Sequence, residues 1–156
     1  MVLVTFTPFA SAYSGMAWAG AGESEYGYGS AVAFSPNGDI LASAHESTVM
    51  IVDATTKNTI QNFHVDFFVQ SLDFTSDARF LLIGMESLLP NTPATVVYEL
   101  VDGEYLRAMH TENGINVDRI SISPSDNSFA TATEEGDIAE WKINEGTGSN
   151  LDLLHT

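Results

Sequence analysis

Cysteine is absent from all 156 residues, which excludes disulfides, thiolate metal sites and a cysteine nucleophile without deciding a compartment. Positive charge is scarce as well. Five Lys and Arg stand against 21 Asp and Glu, a formal net charge of -16, and such a surface repels phosphate backbones and anionic headgroups. Nucleic acid is therefore not an expected partner. The carboxylates are scattered and not blocked, as in a solubilising surface. No apolar run is long enough to cross a bilayer, so no membrane insertion is expected. No segment sustains the 3.6-residue apolar period of a helix, which leaves an all-β class.

What is present is a repeat. FSPNGDILASA from Phe34, FTSDARFLLIG from Phe74 and ISPSDNSFATA from Ile122 each run from an apolar residue through a polar turn into an alternating strand, at offsets of 40 and 48 residues. The longer interval holds Ser87 to Pro93, SLLPNTP, whose two prolines read as an inserted loop. A period in the forties with several short strands per unit is the mark of a radial or stacked β architecture, in which each unit needs a neighbour to bury its apolar face. With 44% hydrophobic residues the chain has the material for a sizeable core.

Strands are predicted near 31–34, 40–44, 48–53 and 59–63, then 69–74, 80–85, 94–100 and 105–109, then 117–122, 128–132, 137–143 and 151–155. Asn37-Gly38 and Asp102-Gly103 supply hairpin turns because these residue types tolerate positive φ; Ser125-Asp126-Asn127 and Glu145-Gly146 serve the third unit. Each unit is expected to be a four-stranded antiparallel sheet with its first strand innermost. Val32, Phe34, Leu41, Val49, Ile51, Leu72, Phe74, Leu81, Val97, Ile120, Ile122, Phe129, Ile138 and Trp141 are the expected interior.

Ahead of the repeats, residues 1–12 form an apolar stretch ending in Ala10-Ser11-Ala12, the small-x-small form of a signal-peptidase site. They read as a signal-peptide remnant, with a secreted or cell-surface location following and a cytoplasmic one as the alternative; the competing reading of the stretch is a β-strand. Residues 13–29 read as a short strand and a Gly/Ala-rich loop.

These features together resemble three degenerate units of a WD-repeat β-propeller over residues 30–156, as blades of about 30–63, 69–110 and 117–155. Phe34-Ser35-Pro36-Asn37-Gly38 is close to that family's first turn. Val52-Asp53, Tyr98-Glu99 and Trp141-Lys142 stand where the family has Trp-Asp. His64, His110 and His155 resemble the family's repeat histidine, which implies a buried hydrogen bond within each blade. Propellers close with four to eight blades, so three imply further blades or self-association.

A catalytic constellation is not legible. His45 lies beside Glu46 near Ser43 and Ser47, but no strained nucleophile turn accompanies it. Gly20-Ala21-Gly22 lacks the Lys-Ser/Thr of a phosphate loop. No cofactor is expected. The expected function is a noncatalytic protein-binding or scaffold module, the alternative being a propeller hydrolase or quinoprotein-like dehydrogenase with an axial active site. Glu46, Glu86 and Glu134 sit in the turns after the second strands; hard oxygen ligands so placed are an alternative reading as a cation site, against a structural reading in which they hold local backbone. The candidate docking set is Asp66, Phe67, Phe68, Leu88, Leu89 and Glu112, large apolar residues beside carboxylates in segments expected to share one face. The competing reading has the apolar members pack between blades.

Overall fold

The computed structural model describes residues 31–86, 92–110, 116–144 and 150–155. Residues 1–30, with the signal-peptide reading, lie outside this range, as do Leu88, Leu89, Glu112 and the Glu145-Gly146 turn.

The turn after the first strand shows how local chemistry sets the hairpins. In the first repeat the Ser35 hydroxyl accepts from the Ile40 amide at 2.9 Å and donates to Asn37 Oδ1 at 2.7 Å; in the second, Thr75 does the same for Phe80 and Asp77 at the same distances. Gly38 takes φ +77° there, whereas Asn37 contributes its side chain and not the left-handed backbone expected of it. Asp102 and Gly103 do both adopt positive φ, as a tight two-residue hairpin requires.

Twelve strands follow from this alternation of turns and apolar runs, with no helix among the described residues. β1 (Ala31–Phe34), β2 (Ile40–His45), β3 (Thr48–Asp53) and β4 (Thr59–His64) form the first antiparallel sheet. β5 (Phe68–Phe74), β6 (Phe80–Glu86), β7 (Thr95–Val101) and β8 (Glu104–His110) form the second. β9 (Arg119–Ile122), β10 (Ser128–Ala132), β11 (Ile138–Asn144) and β12 (Asn150–His155) form the third. β1 lies against β5 and β5 against β9, so the first strands line the inner side, as expected of blades around an axis. Each blade kinks at the same place. One residue is skipped in the fourth strand opposite Ile51/Val52, Val97/Tyr98 and Glu140/Trp141, a β-bulge repeated three times.

Two seams hold the blades together. β6 serves both: Leu81, Ile83 and Met85 point to blade 1 and join Ala42, Val49, Ile51, Leu72 and Phe74, while Phe80 and Leu82 point to blade 3 and join Val97, Ile120 and Phe129. A strand buried on both faces needs no polar alternation, which is why FLLIGM is continuously apolar. The first seam carries Phe63 stacked on Tyr98 with centroids 4.3 Å apart, and its outer end is stapled by Gln61, which donates to the Tyr105 carbonyl at 2.9 Å and accepts from the Tyr105 amide at 2.8 Å. The second seam is stapled at its inner end. There Ser71 Oγ accepts from the Ile120 amide at 3.1 Å and Asp73 from the Ile122 amide at 3.0 Å. Gly84 is part of the same seam because a Cβ on it would stand 2.9 Å from Val117.

Of the expected interior, Val49, Ile51, Leu72, Phe74, Leu81, Val97, Ile120 and Phe129 are buried, and Leu41, Ile122 and Trp141 are half-buried. Val32, Phe34 and Ile138 are corrected: they are exposed by 66%, 62% and 66%. Val32 and Phe34 share a face with Leu41 that points away from blade 2, and Ile138 points away from blade 2 on the far side of blade 3, so no described blade covers any of them. The histidine expectation is corrected as well. His64, His110 and His155 are exposed, and His155 pairs opposite Glu140 while His110 pairs opposite Val96 and His64 opposite Thr48. Counted from the bulge, Gln61, Met109 and His155 are the equivalent residues, so the equal spacing of the histidines is not structural equivalence.

Candidate protein-docking face

Strand direction alternates, so the β2–β3 turn and the β4–β5 connection meet at one end of the blades. Hydrogen bonds fix this: the Val65 amide donates to the Ser47 carbonyl and the Val69 amide to the Glu46 carbonyl, at 2.9 and 2.8 Å. In blade 2 the same end carries Glu86, directly opposite Phe68 in the β5–β6 ladder. Glu46, Phe68 and Glu86 are therefore neighbours on a surface made from two blades.

The two phenylalanines separate. Phe67 is half-buried and packs on the core of the first seam, whereas Phe68 is 48% exposed. The carboxylate of Asp66 pairs with Arg107 of β8 at 2.8 Å, both side chains in solvent. An exposed pair of this kind contributes about 0–1 kcal/mol, so it orders the connection more than it stabilises the fold. Gln70 donates to the Glu86 carboxylate at 3.0 Å and holds it beside Phe68. Under this surface, burial pushes the Tyr98 phenol up, with Arg107 opposing and Asp66 adding to the shift. The result is one aromatic ring at the rim of a rigid sheet, bordered by Glu46, Asp66 and Glu86. Arg107 and Gln70 were not legible as members, because Arg107 lies 41 positions from its partner and no local pattern points to either.

The other end of the blades is different. Asp53, Asp77 and Asp126 sit in its turns with pKa values below the usual carboxylate range. For Asp53 the cause is the Thr56 amide and hydroxyl, and for Asp126 the hydroxyls of Ser123 and Ser128; at Asp77 burial acts upward, but the Thr75 hydroxyl and Arg79 amide together outweigh it. These carboxylates serve the turns. Glu46 is exposed with φ +53°, Glu86 is half-buried on Gln70, and Glu134 is exposed in the β10–β11 turn. Among the described residues no group of three or more His, Asp or Glu side chains is gathered to hold a metal ion. On the first strands Ala31 and Ala33 pack on the first seam, Ser71 and Asp73 are engaged with the first strand of blade 3, and Arg119 and Ser121 are exposed.

No protein-family model and no curated protein matches the sequence. Solved structures do match. The β-propeller domain of Cps50 (Swd1) from Myceliophteria thermophila is similar at 23% identity and a TM-score of 0.64, over 83% of this chain and 38% of that one. A chain of the Mitotic Checkpoint Complex is similar at 15% identity and 0.63, over 74% and 36%. Hydrazine Synthase of Kuenenia stuttgartiensis is similar at 18% identity and 0.59, over 80% and 37%. This chain thus spans just over a third of the length of the proteins it matches. With twelve strands in three antiparallel sheets stacked around an inner row of first strands, the described residues have the fold of three β-propeller blades.

Proposed function

We propose that the chain is a noncatalytic protein-binding or scaffold segment of a larger propeller, with a docking face centred on Phe68. The observation that carries this reading is the exposed Phe68 ring, held on a rigid strand end and bordered by Glu46, Asp66 and Glu86. Aromatic anchors in a charged border are the usual composition of interface hot spots, and the acidic border selects a partner with a basic rim. The resemblance to a chain of the Mitotic Checkpoint Complex favours protein partners. A secreted or cell-surface location is part of the proposal and rests on Ala10-Ser11-Ala12.

Phe68→Ser and Phe67→Ser test it as a pair in the full-length protein. Phe68→Ser is expected to keep the circular dichroism and melting of the parent and to lose partners found by proximity labelling, the loss being mimicked by high salt. Phe67→Ser is expected to weaken folding. Retention of every partner by a folded Phe68→Ser protein sinks the reading. The enzyme alternative has one specific support, the likeness to Hydrazine Synthase; turnover of esters, lactones or sugar alcohols by the full-length protein decides for it.

A further inference from the structure

The first turns of blades 1 and 2 share their hydrogen bonds and differ in their chemistry. In blade 2 the Thr75 hydroxyl and the Arg79 amide donate to a carboxylate, Asp77, at 2.7 and 3.0 Å, and the next residue is Ala78. In blade 1 the same two bonds, from the Ser35 hydroxyl and the Asp39 amide at 2.7 and 3.2 Å, end on a carboxamide, Asn37, and the next residue is Gly38. Asn37 is exposed to water. A carboxamide followed by glycine is open to attack by the chain on itself, because glycine has no Cβ to hinder the approach of its nitrogen. That nitrogen bonds to the carboxamide carbon, the Cγ–Nδ2 bond breaks, and the proton given up by the nitrogen leaves with Nδ2 as ammonia. Water then opens the cyclic imide at either carbonyl to give aspartate or isoaspartate. Water is consumed, ammonia is released, and nothing is oxidised or reduced.

We propose that Asn37 is a site of spontaneous deamidation that the folded turn keeps closed. Both reacting groups are committed elsewhere. The Gly38 N–H, which must give up its proton, donates to the Ser35 carbonyl at 2.8 Å. The carboxamide, which must swing toward that nitrogen, is pinned at both ends: Oδ1 accepts from Ser35 and Asp39, and Nδ2 donates to the Asp39 carboxylate at 2.9 Å. Ser35 is buried and accepts from the Ile40 amide, so the pins are anchored on the β1–β2 ladder and local opening of that hairpin end releases them together. The products suit the turn less well. Aspartate sets a second carboxylate where Nδ2 now meets Asp39, whereas blade 2 has Arg79 at the position of Asp39. Isoaspartate lengthens the main chain by one carbon inside a turn that fixes the Phe34–Leu41 pairing. Opening of the blade 1 turn therefore leaves a permanent chemical mark, and blade 2 is spared because Asp77 has no ammonia to lose.

The test follows conversion of the chain at neutral pH by mass spectrometry and isoaspartate content, folded and in guanidinium chloride. Tryptic peptides ending at Lys57 and at Arg119 separate Asn37 from Asn113, the other Asn-Gly pair in the sequence. Asn37 is expected to convert at least about tenfold more slowly in the folded chain than in the unfolded one, the margin that several hydrogen bonds of modest net strength provide. Asp39→Ala frees Nδ2 alone, at an exposed position, and is expected to shrink that ratio by about threefold. Taking the ratio for each variant cancels any change in intrinsic reactivity, and circular dichroism confirms that the variant folds. Equal rates in the folded and unfolded chain, no conversion in either, or a ratio that Asp39→Ala leaves unchanged each overturns the proposal. Should Asp39→Ala not fold, hydrogen exchange at the Gly38 amide of the unsubstituted chain replaces it: protection is expected, and exchange at the unprotected rate counts equally against the proposal.

Discussion

The seam between blades 1 and 2 and the seam between blades 2 and 3 are built on the same plan and locked in different places. The first is locked at its outer end, where Gln61 engages both backbone groups of Tyr105. At its inner end stand Ala31 and Ala33, whose side chains have nothing to donate or accept. The second is locked at the inner end, where Ser71 and Asp73 satisfy the amides of Ile120 and Ile122. Apolar packing supplies the cohesion in both and is tolerant of small slips. A side chain bonded to a particular backbone amide is not, so each seam needs one such lock and either end will serve.

The largest effects come from emptying one seam at a time. Leu82 and Ile83 are adjacent on β6, both fully buried, and face opposite seams. Leu82→Ala and Ile83→Ala are each expected to cost about 2–5 kcal/mol by denaturant unfolding. Hydrogen exchange should locate the loss on β10 and β11 for the former and on β2 and β3 for the latter; identical patterns would show that the seams are one cooperative unit. Overfilling is the next test. Gly84→Ala sets a methyl 2.9 Å from Val117 Cγ1 and 3.2 Å from its carbonyl oxygen, and is expected to cost about 1–3 kcal/mol with the change confined to the second seam.

The locks themselves follow. Asp73→Ala leaves the half-buried Ile122 amide unpaired and is expected to cost about 1–3 kcal/mol, and Gln61→Ala about 1 kcal/mol, because β8 can regain hydration at the rim. If the two losses fall in the same seam by hydrogen exchange, the assignment of one lock per seam is wrong.

Alkali separates the seams without mutation. Tyr105, in the first seam, is pushed up to about 12 by burial, with Asp77 adding to the shift, and its hydroxyl donates to the Ala78 carbonyl at 2.7 Å. The folded pKa lies above the unfolded value, so its contribution is fully present below about pH 10 and is lost as the pH rises toward 12. Tyr105→Phe is expected to flatten that loss. Acid acts oppositely on Asp53, Asp77 and Asp126: their folded values are depressed, so their contribution is present above the ordinary pKa of 3.8 and lost as pH falls through the folded values. The smallest effect is a gain. Ala78 holds φ +58° at the position where blade 1 has Gly38, and Ala78→Gly is expected to raise stability by about 0.5 kcal/mol, the relief of left-handed strain slightly exceeding the added chain entropy.

At the proposed docking end the sequence pointed to Phe67 and Phe68 together, and only Phe68 is exposed. Both follow Asp66 in a connection where apolar residues are out of place, and the local pattern offers no means to tell them apart. Phe67 meets the first-seam core and Phe68 does not, a distinction created by where β4 and β5 come from in space. The same limit explains the histidines, whose spacing of 46 and 45 residues spans loops of unequal length and so drifts relative to the bulges.

The sequence alone determined the twelve strands, their grouping in fours and the turns between them, because alternation, turn residues and repeat period are written within a few residues of one another and act over the same range. It also determined where the apolar residues alternate along most strands, with β6 apolar on both faces. What tertiary structure decided is whether an apolar face is covered. Val32 and Phe34 carry the same pattern as Leu72 and Phe74, yet the first pair is exposed and the second buried. The difference lies in no property of the residues themselves but in the presence of a neighbouring blade. Likewise Asp73 reads as one more surface carboxylate until β9 is brought alongside and its Ile122 amide requires an acceptor.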